Sequence, residues 1–310
     1  MPSTLHLSSM LGAVRAFGGP VPAPPPPGRF ARPAVPEDVE QRLESVTSRA
    51  RRSVLDPLAR ERGTGTVGFP RRLNLPSLDG TTAAAVQVDE RTCGSAVLAM
   101  LGLAGDPRAA LRLASGDPAE QFVRLQHAVQ AATNRRGLVV AGWPRTYGTP
   151  PWGAARFATY GGVRYTHRVA GSRALLEAAV ASARAGVPVP LYTGGDVTGG
   201  WDSAVPRHVV LLTLADGEGA DGSAVLYEPS GAGLHTVPVA ALLDPPPAPS
   251  GRADISQSTG DRTAARVRKA LTAALGGWPH VAWVLLPERA GRWHGDESRV
   301  TMEAPDEEAR

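Results

Sequence analysis

The stretch QVDERTCGSAVLAML, residues 87–101, decides the reading of this chain, because it holds the only cysteine, Cys93, at the start of a long apolar helix. A helix N-terminus presents unpaired backbone N–H groups and the positive end of the helix dipole. A thiol placed there is biased toward thiolate, the form that attacks carbonyl carbon. Gln87 stands six residues upstream and Gly94 directly downstream. A Gln side chain so placed offers a hydrogen-bond donor to the oxyanion that such an attack creates. Thr92 is the expected N-cap, and Gly105-Asp106-Pro107 stops the helix after Ala104.

Downstream, a second helix is expected from about Pro118 to Thr133, with Phe122, Leu125 and Val129 on one stripe. Residues 134–171 are rich in Gly, Trp and Tyr and predict short strands at Leu138–Ala141 and Val163–Val169 around a loop containing GTPPW (148–152). The segment SRALLEAAVASARA (172–185) reads as a helix closed by Gly186. The strand VPVPLY (187–192) follows, and Pro188 and Pro190 place it at a sheet edge or a bulge. After a glycine-rich loop, RHVVLLTLA (207–215) is apolar on both faces and belongs in the middle of a sheet. The run SAVLYEPSG (223–231) is its hairpin partner, and LHTVPV (234–239) gives a third strand. A polar insertion (244–263), a helix at roughly 261–275 and a last strand, HVAWVLLP (280–287), complete the domain.

Upstream, residues 1–36 are Pro-rich and aperiodic and read as a disordered arm. Residues 37–79 read as a peripheral helix, interrupted by Pro57, and a linker. The main domain is expected over 80–290, with a polar and acidic tail over 291–310.

Composition narrows the functional class. With 310 residues and 42% apolar content, the chain can bury a substantial core. A net charge of +4, with Lys269 the only lysine, is too weak to imply a nucleic-acid partner without a clustered patch, and Arg49, Arg51 and Arg52 read as a solvated helix face. One cysteine excludes an intrachain disulfide framework and any CxxC site. The other six histidines lack ligand spacing, so neither metal nor cofactor is expected. The expected localisation is cytoplasmic, since the first residues lack a signal-peptide pattern and no apolar run reaches spanning length.

Chemistry enters through the order of three residue types. A nucleophilic thiol needs a base, and the base needs a third group to fix its tautomer. His208 opens the central strand and Glu228 ends its hairpin partner. If paired residue numbers sum to 436, Glu228 lies directly opposite His208. A sum of 438 places Ser230 opposite and Glu228 diagonal on the same face, and an odd sum sends Glu228 to the far side. Asp202, in the mobile-looking GGDVTGGWDS segment, is a weaker substitute for Glu228. That segment reads as a lid, since its glycines permit hinge motion. Trp143, Trp152 and Trp201 either wall a groove beside the site or anchor their loops to the core.

Gln87, the six-residue step to Cys93-Gly94, the strand PRHVVLL with His208, and Glu228-Pro229 followed by Gly231 resemble papain-like cysteine peptidases. They are most similar to the bacterial bacteriocin-processing, double-glycine branch. The resemblance covers about 80–290. It implies an α+β fold in which an N-terminal catalytic helix packs on an antiparallel β-sheet. It assigns Cys93 as nucleophile, His208 as general base and acid, Glu228 as the orienting group, and Gln87 as oxyanion donor together with the Cys93 backbone N–H. The family usually carries Asp or Asn where this chain has Glu228, so the backbone there must sit slightly farther from the imidazole. The implied activity is hydrolysis of a peptide or isopeptide bond in a peptide or protein substrate. The alternatives are transglutaminase-like or deamidating acyl transfer, and a catalytically inactive interaction module on the same fold.

Overall fold

A strand that is apolar on both faces has to be covered on both faces. In the computed structural model this holds for His208–Ala215, whose residues alternate between two hydrophobic clusters: Val209 and Leu211 in one, Val210 and Leu212 in the other. The structure describes residues 20–23, 33–135, 148–194, 208–246 and 259–288. The expected strand at Leu138–Ala141, Trp143, Trp201, Asp202 and the acidic tail lie outside them.

In chain order the elements are α1 (Glu37–Glu44), α2 (Ser48–Leu55), β1 (Arg71–Arg72), α3 (Cys93–Gly105), α4 (Pro107–Ala114), α5 (Pro118–Asn134) and α6 (Pro151–Phe157). These are followed by β2 (Thr159–Tyr160), β3 (Val163–Val169), α7 (Arg173–Arg184), β4 (Val189–Gly194), β5 (His208–Ala215), β6 (Ser223–Glu228), β7 (Gly233–Pro238), α8 (Val239–Leu243), α9 (Thr259–Ala274) and β8 (His280–Glu288). The strands form one sheet in the order β1-β7-β6-β5-β4-β8-β3-β2, antiparallel at every step. The fold is thus mixed α/β, with β5 near the middle of an eight-stranded antiparallel sheet.

One face carries α3, which packs on β5, together with α5 and α6; the other carries α7, α8 and α9. Helix α3 is buried almost all round, from Cys93 to Ala104, with Leu98, Met100, Leu101 and Leu103 no more than 3% exposed. Each such side chain contributes about 1.5–3 kcal/mol of burial. Its small residues allow close approach: a Cβ on Gly94 would lie 2.8 Å from the Thr149 Cβ. Helices α1 and α2 close a smaller cluster with Ala110 and Ala114 of α4 through Val39, Leu43 and Val54.

Several local expectations differ from the structure. GTPPW is not all loop, because Pro151 starts α6 at a first-turn position where its missing N–H costs nothing. Helix α4 follows α3 at once, with Asp106 capping Arg108 N and Pro107 at its start. Strand β4 is interior, between β5 and β8, rather than at an edge. Its ladder to β8 begins only at Leu191, past Pro190, and is irregular at Tyr192/Thr193. The stretch read as a linker supplies β1 and the buried Leu73 and Leu75. No helix among the described residues is long and apolar enough to cross a membrane.

Candidate active site

The register between β5 and β6 determines what His208 can meet. Leu211 pairs with Tyr227 and Leu212 with Leu226, a sum of 438 at the end of the hairpin near His208. Extended to the strand start, this register sets Ser230 opposite His208 and Glu228 on the diagonal, on the same face. Beyond an irregularity at Thr213 the sum becomes 439, as in Leu214↔Val225. The bulge therefore absorbs the odd step on the far side of the site, and Glu228 keeps the face of His208.

A diagonal partner stands roughly 7–8 Å away along the backbone, which favours the longer acidic side chain. Glu228 spans that gap: its Oε1 lies 2.8 Å from His208 Nε2. The carboxylate is itself gripped by the following turn. Ser230 N–H donates to Oε1 at 2.8 Å, the Ser230 hydroxyl to Oε2 at 2.7 Å, and Gly231 N–H to Oε2 at 3.1 Å. The Glu228 side chain is 6% exposed and that of His208 11%. Burial pushes the Glu228 carboxyl up, but the bonds from His208 and Ser230 and the charge of His208 outweigh it and hold the group down at about 2.

Cys93 reaches the same ring from the other layer. His208 shares the parity of Val210 and Leu212, which face α7–α9, whereas Cys93 belongs to the cluster under α3. His208 is the first residue of β5, so its ring stands at the end of the sheet, where Cys93 acts on it. Burial would push the imidazole down; the hydrogen bonds with Cys93 and then with Glu228, reinforced by their charges, raise it to about 9. With Nε2 committed to Glu228, Nδ1 is the nitrogen left for the thiol. The structure thus joins His208 to Glu228 by a hydrogen bond and sets Cys93 near enough to the same ring to raise its pKa. Such an arrangement can hold an imidazolium beside a sulfur nucleophile and fix the orientation of its ring.

The start of α3 differs from expectation. Thr92 makes no side-chain cap; its hydroxyl accepts from Asp89 N–H at 2.9 Å and donates to the Asp89 carbonyl at 3.0 Å. That closes the preceding turn and leaves the first turn of α3 without a side-chain acceptor, which suits a site where an oxyanion would form. Gln87 is tied beside the Glu228 strand end by its backbone N–H, which donates to the Pro229 carbonyl at 2.9 Å. One of its amide N–H groups donates to the Asp89 carbonyl at 2.8 Å, and its Oε1 is buried without a partner.

Residues not singled out from the sequence complete the surroundings. The Tyr192 hydroxyl donates to the Thr149 carbonyl at 3.1 Å, and burial followed by the charge of Cys93 keeps that hydroxyl protonated. Thr149 in turn lies against Gly94 and within 3.4 Å of the Ser95 hydroxyl. The Gly276-Gly277 turn after α9 abuts the His208 ring. Trp152 lies in α6, edge-on to His167 at 6.5 Å, and so packs on the β3 side of the core. Among the described residues no group of His, Cys, Asp and Glu is arranged to hold a metal ion. Compared with known proteins, the chain matches no family model, no curated protein and no solved structure.

Proposed function

We propose that this protein is a papain-like cysteine hydrolase that cleaves a peptide or isopeptide bond by thiol acyl transfer. The observation that carries the reading is the set Cys93, His208, Glu228, drawn from three separate elements around one largely buried imidazole. In the first step the Cys93 sulfur attacks the carbonyl carbon. The backbone N–H of Cys93 and the second amide N–H of Gln87 are the donors offered to the oxyanion. His208 passes its proton to the leaving amine, and the acyl group remains on sulfur as a thioester. Water, deprotonated by His208, then releases the acid and restores the thiol. Glu228 holds the ring throughout and takes no proton. Transfer of the thioester to an amine instead of water would give transglutaminase-type chemistry with the same residues.

One observation favours a second reading, a non-catalytic module on this fold: Cys93 is only 6% exposed. Labelling separates the two. At pH 6 an ordinary thiol with a pKa of about 8.5 is about 0.3% thiolate. A thiol paired with an imidazolium should therefore react with iodoacetamide tens of times faster than a free cysteine, on the order of what thiolate fraction and reduced nucleophilicity allow together. His208→Ala should remove that excess. Slow and equal labelling of both proteins would leave the module as the reading.

A further inference from the structure

The plane of an imidazole is not fixed by one hydrogen bond; something must wall its face. On the α9 side, the turn at Gly276 lies against the His208 ring. A Cβ built on Gly276 would lie 2.1 Å from His208 Cδ2, 2.6 Å from Nε2 and 2.9 Å from Cγ. Non-bonded carbons are comfortable at roughly 3.5–4.0 Å, so a single methyl group there would displace the ring or the turn by more than about 1 Å. The displaced edge would be the one that carries Nε2 and its 2.8 Å contact to Glu228.

The turn itself is held firmly. Gly277 N–H donates to the Thr272 carbonyl at 2.8 Å and Gly276 N–H to the Ala273 carbonyl at 3.2 Å, the pair of bonds that ends a helix with a left-handed residue. Gly276 has φ +69° and Gly277 φ +90°. The carbonyl of Leu275 accepts from the buried Thr193 hydroxyl at 2.9 Å. Thr193 is the residue of β4 paired directly with His208. The strand partner of the histidine therefore tethers the turn that faces its ring.

We propose that Gly276 is a positioning residue for His208: its lack of a side chain makes the slot in which the ring lies, and the slot aims one nitrogen at Glu228 and the other at Cys93. The proposal rests on the acyl-transfer reading for its rate readout alone.

Helix termination also calls for glycine here, so the test must separate the slot from the backbone. Gly277 supplies the control, since it too has a positive φ and nothing lies within 4 Å of an added Cβ. The full chain would be compared as wild type, Gly276→Ala, Gly277→Ala and Thr193→Val, by the rate of iodoacetamide labelling of Cys93 from pH 5 to 9 and by NMR titration of the His208 ring. Gly276→Ala should lose about tenfold or more of the wild-type rate at pH 6 and shift the ring titration, while Gly277→Ala stays within about twofold. Wild-type profiles in Gly276→Ala, or equal losses in both glycine variants, would overturn the proposal. If Gly276→Ala fails to fold, Thr193→Val loosens the same turn; it should lower the rate and shift the titration, and an unchanged profile would overturn the slot. A wild-type thiol no faster than free cysteine would sink the acyl-transfer reading instead, and the ring titration alone would then decide Gly276.

Discussion

Replacing Glu228 by Asp would install the acid that papain-like enzymes more often carry, and here it should do harm. The pairing that puts Glu228 diagonal to His208 gives the backbone a distance only the longer side chain can span. Removing one methylene withdraws the carboxylate by about 1.5 Å, which turns the 2.8 Å contact with Nε2 into one of roughly 4 Å. A hydrogen bond to a charged group is worth about 1.5–3 kcal/mol, so the loss should be about 2 kcal/mol, or roughly thirtyfold in the fraction of correctly held imidazole. The three bonds from Ser230 and Gly231 would follow the retreating carboxylate imperfectly, which adds to the cost. Denaturant unfolding should show the drop in stability, and Cys93 labelling at pH 6 should slow by about tenfold or more. A Glu228→Asp protein as stable and as reactive as the wild type would refute the diagonal geometry as the reason for Glu.

Stability should depend on pH through the same pair. Glu228 is held at about 2 against an ordinary 4.5, so its contribution is present above pH 4.5 and lost as pH falls through about 2. His208 is raised to about 9 from 6.5, so its contribution is complete below pH 6.5 and lost as pH rises through about 9. The two shifts share the His208–Glu228 contact and are not summed, and Cys93 contributes to that of His208; their joint effect is fullest between pH 4.5 and 6.5, and thermal unfolding across pH should flatten in His208→Ala. Gly94→Ala would press a methyl group to 2.8 Å from Thr149 Cβ and 3.4 Å from Val209, and should cost about 1–3 kcal/mol by denaturant unfolding. Tyr227→Phe removes the hydroxyl that donates to the buried Ala85 carbonyl and should cost about 1–3 kcal/mol, with labelling of Cys93 unchanged.

What the sequence disclosed was what periodicity and residue order encode. The apolar strand 207–215 could only be central, and β3, α5 and α7 begin and end within a residue or two of their expected bounds, because long stripes and caps are local signals. The thiol, imidazole and carboxylate could be named in order, but their meeting depended on a register that alternation alone left at three possibilities. The bulge at Thr213 that settles the face has no local signature in LLTLA. Pro188 and Pro190 left an edge or a bulge open; β4 lies inside the sheet, its second ladder starts after Pro190, and that ladder is irregular at Tyr192/Thr193. Helices α4 and α6 begin where the local signals also read as a helix stop (Gly105-Asp106-Pro107) and a loop (GTPPW), although proline at a first-turn position suits a helix start. A helix end near 275 was legible, but that Gly276 beyond it walls a ring 68 positions earlier shows only in the folded structure.

The central claim is that the lone thiol and the first imidazole of β5 form one electrostatic unit round the end of the sheet. Titration of the His208 ring by NMR in wild type and in Cys93→Ala tests it most directly. The wild-type ring should stay protonated through neutrality and titrate near 9, and removal of the sulfur should lower that value by taking away its largest favourable partner. A ring that titrates at its ordinary value in the wild type, or at the same value in both proteins, would contradict the account.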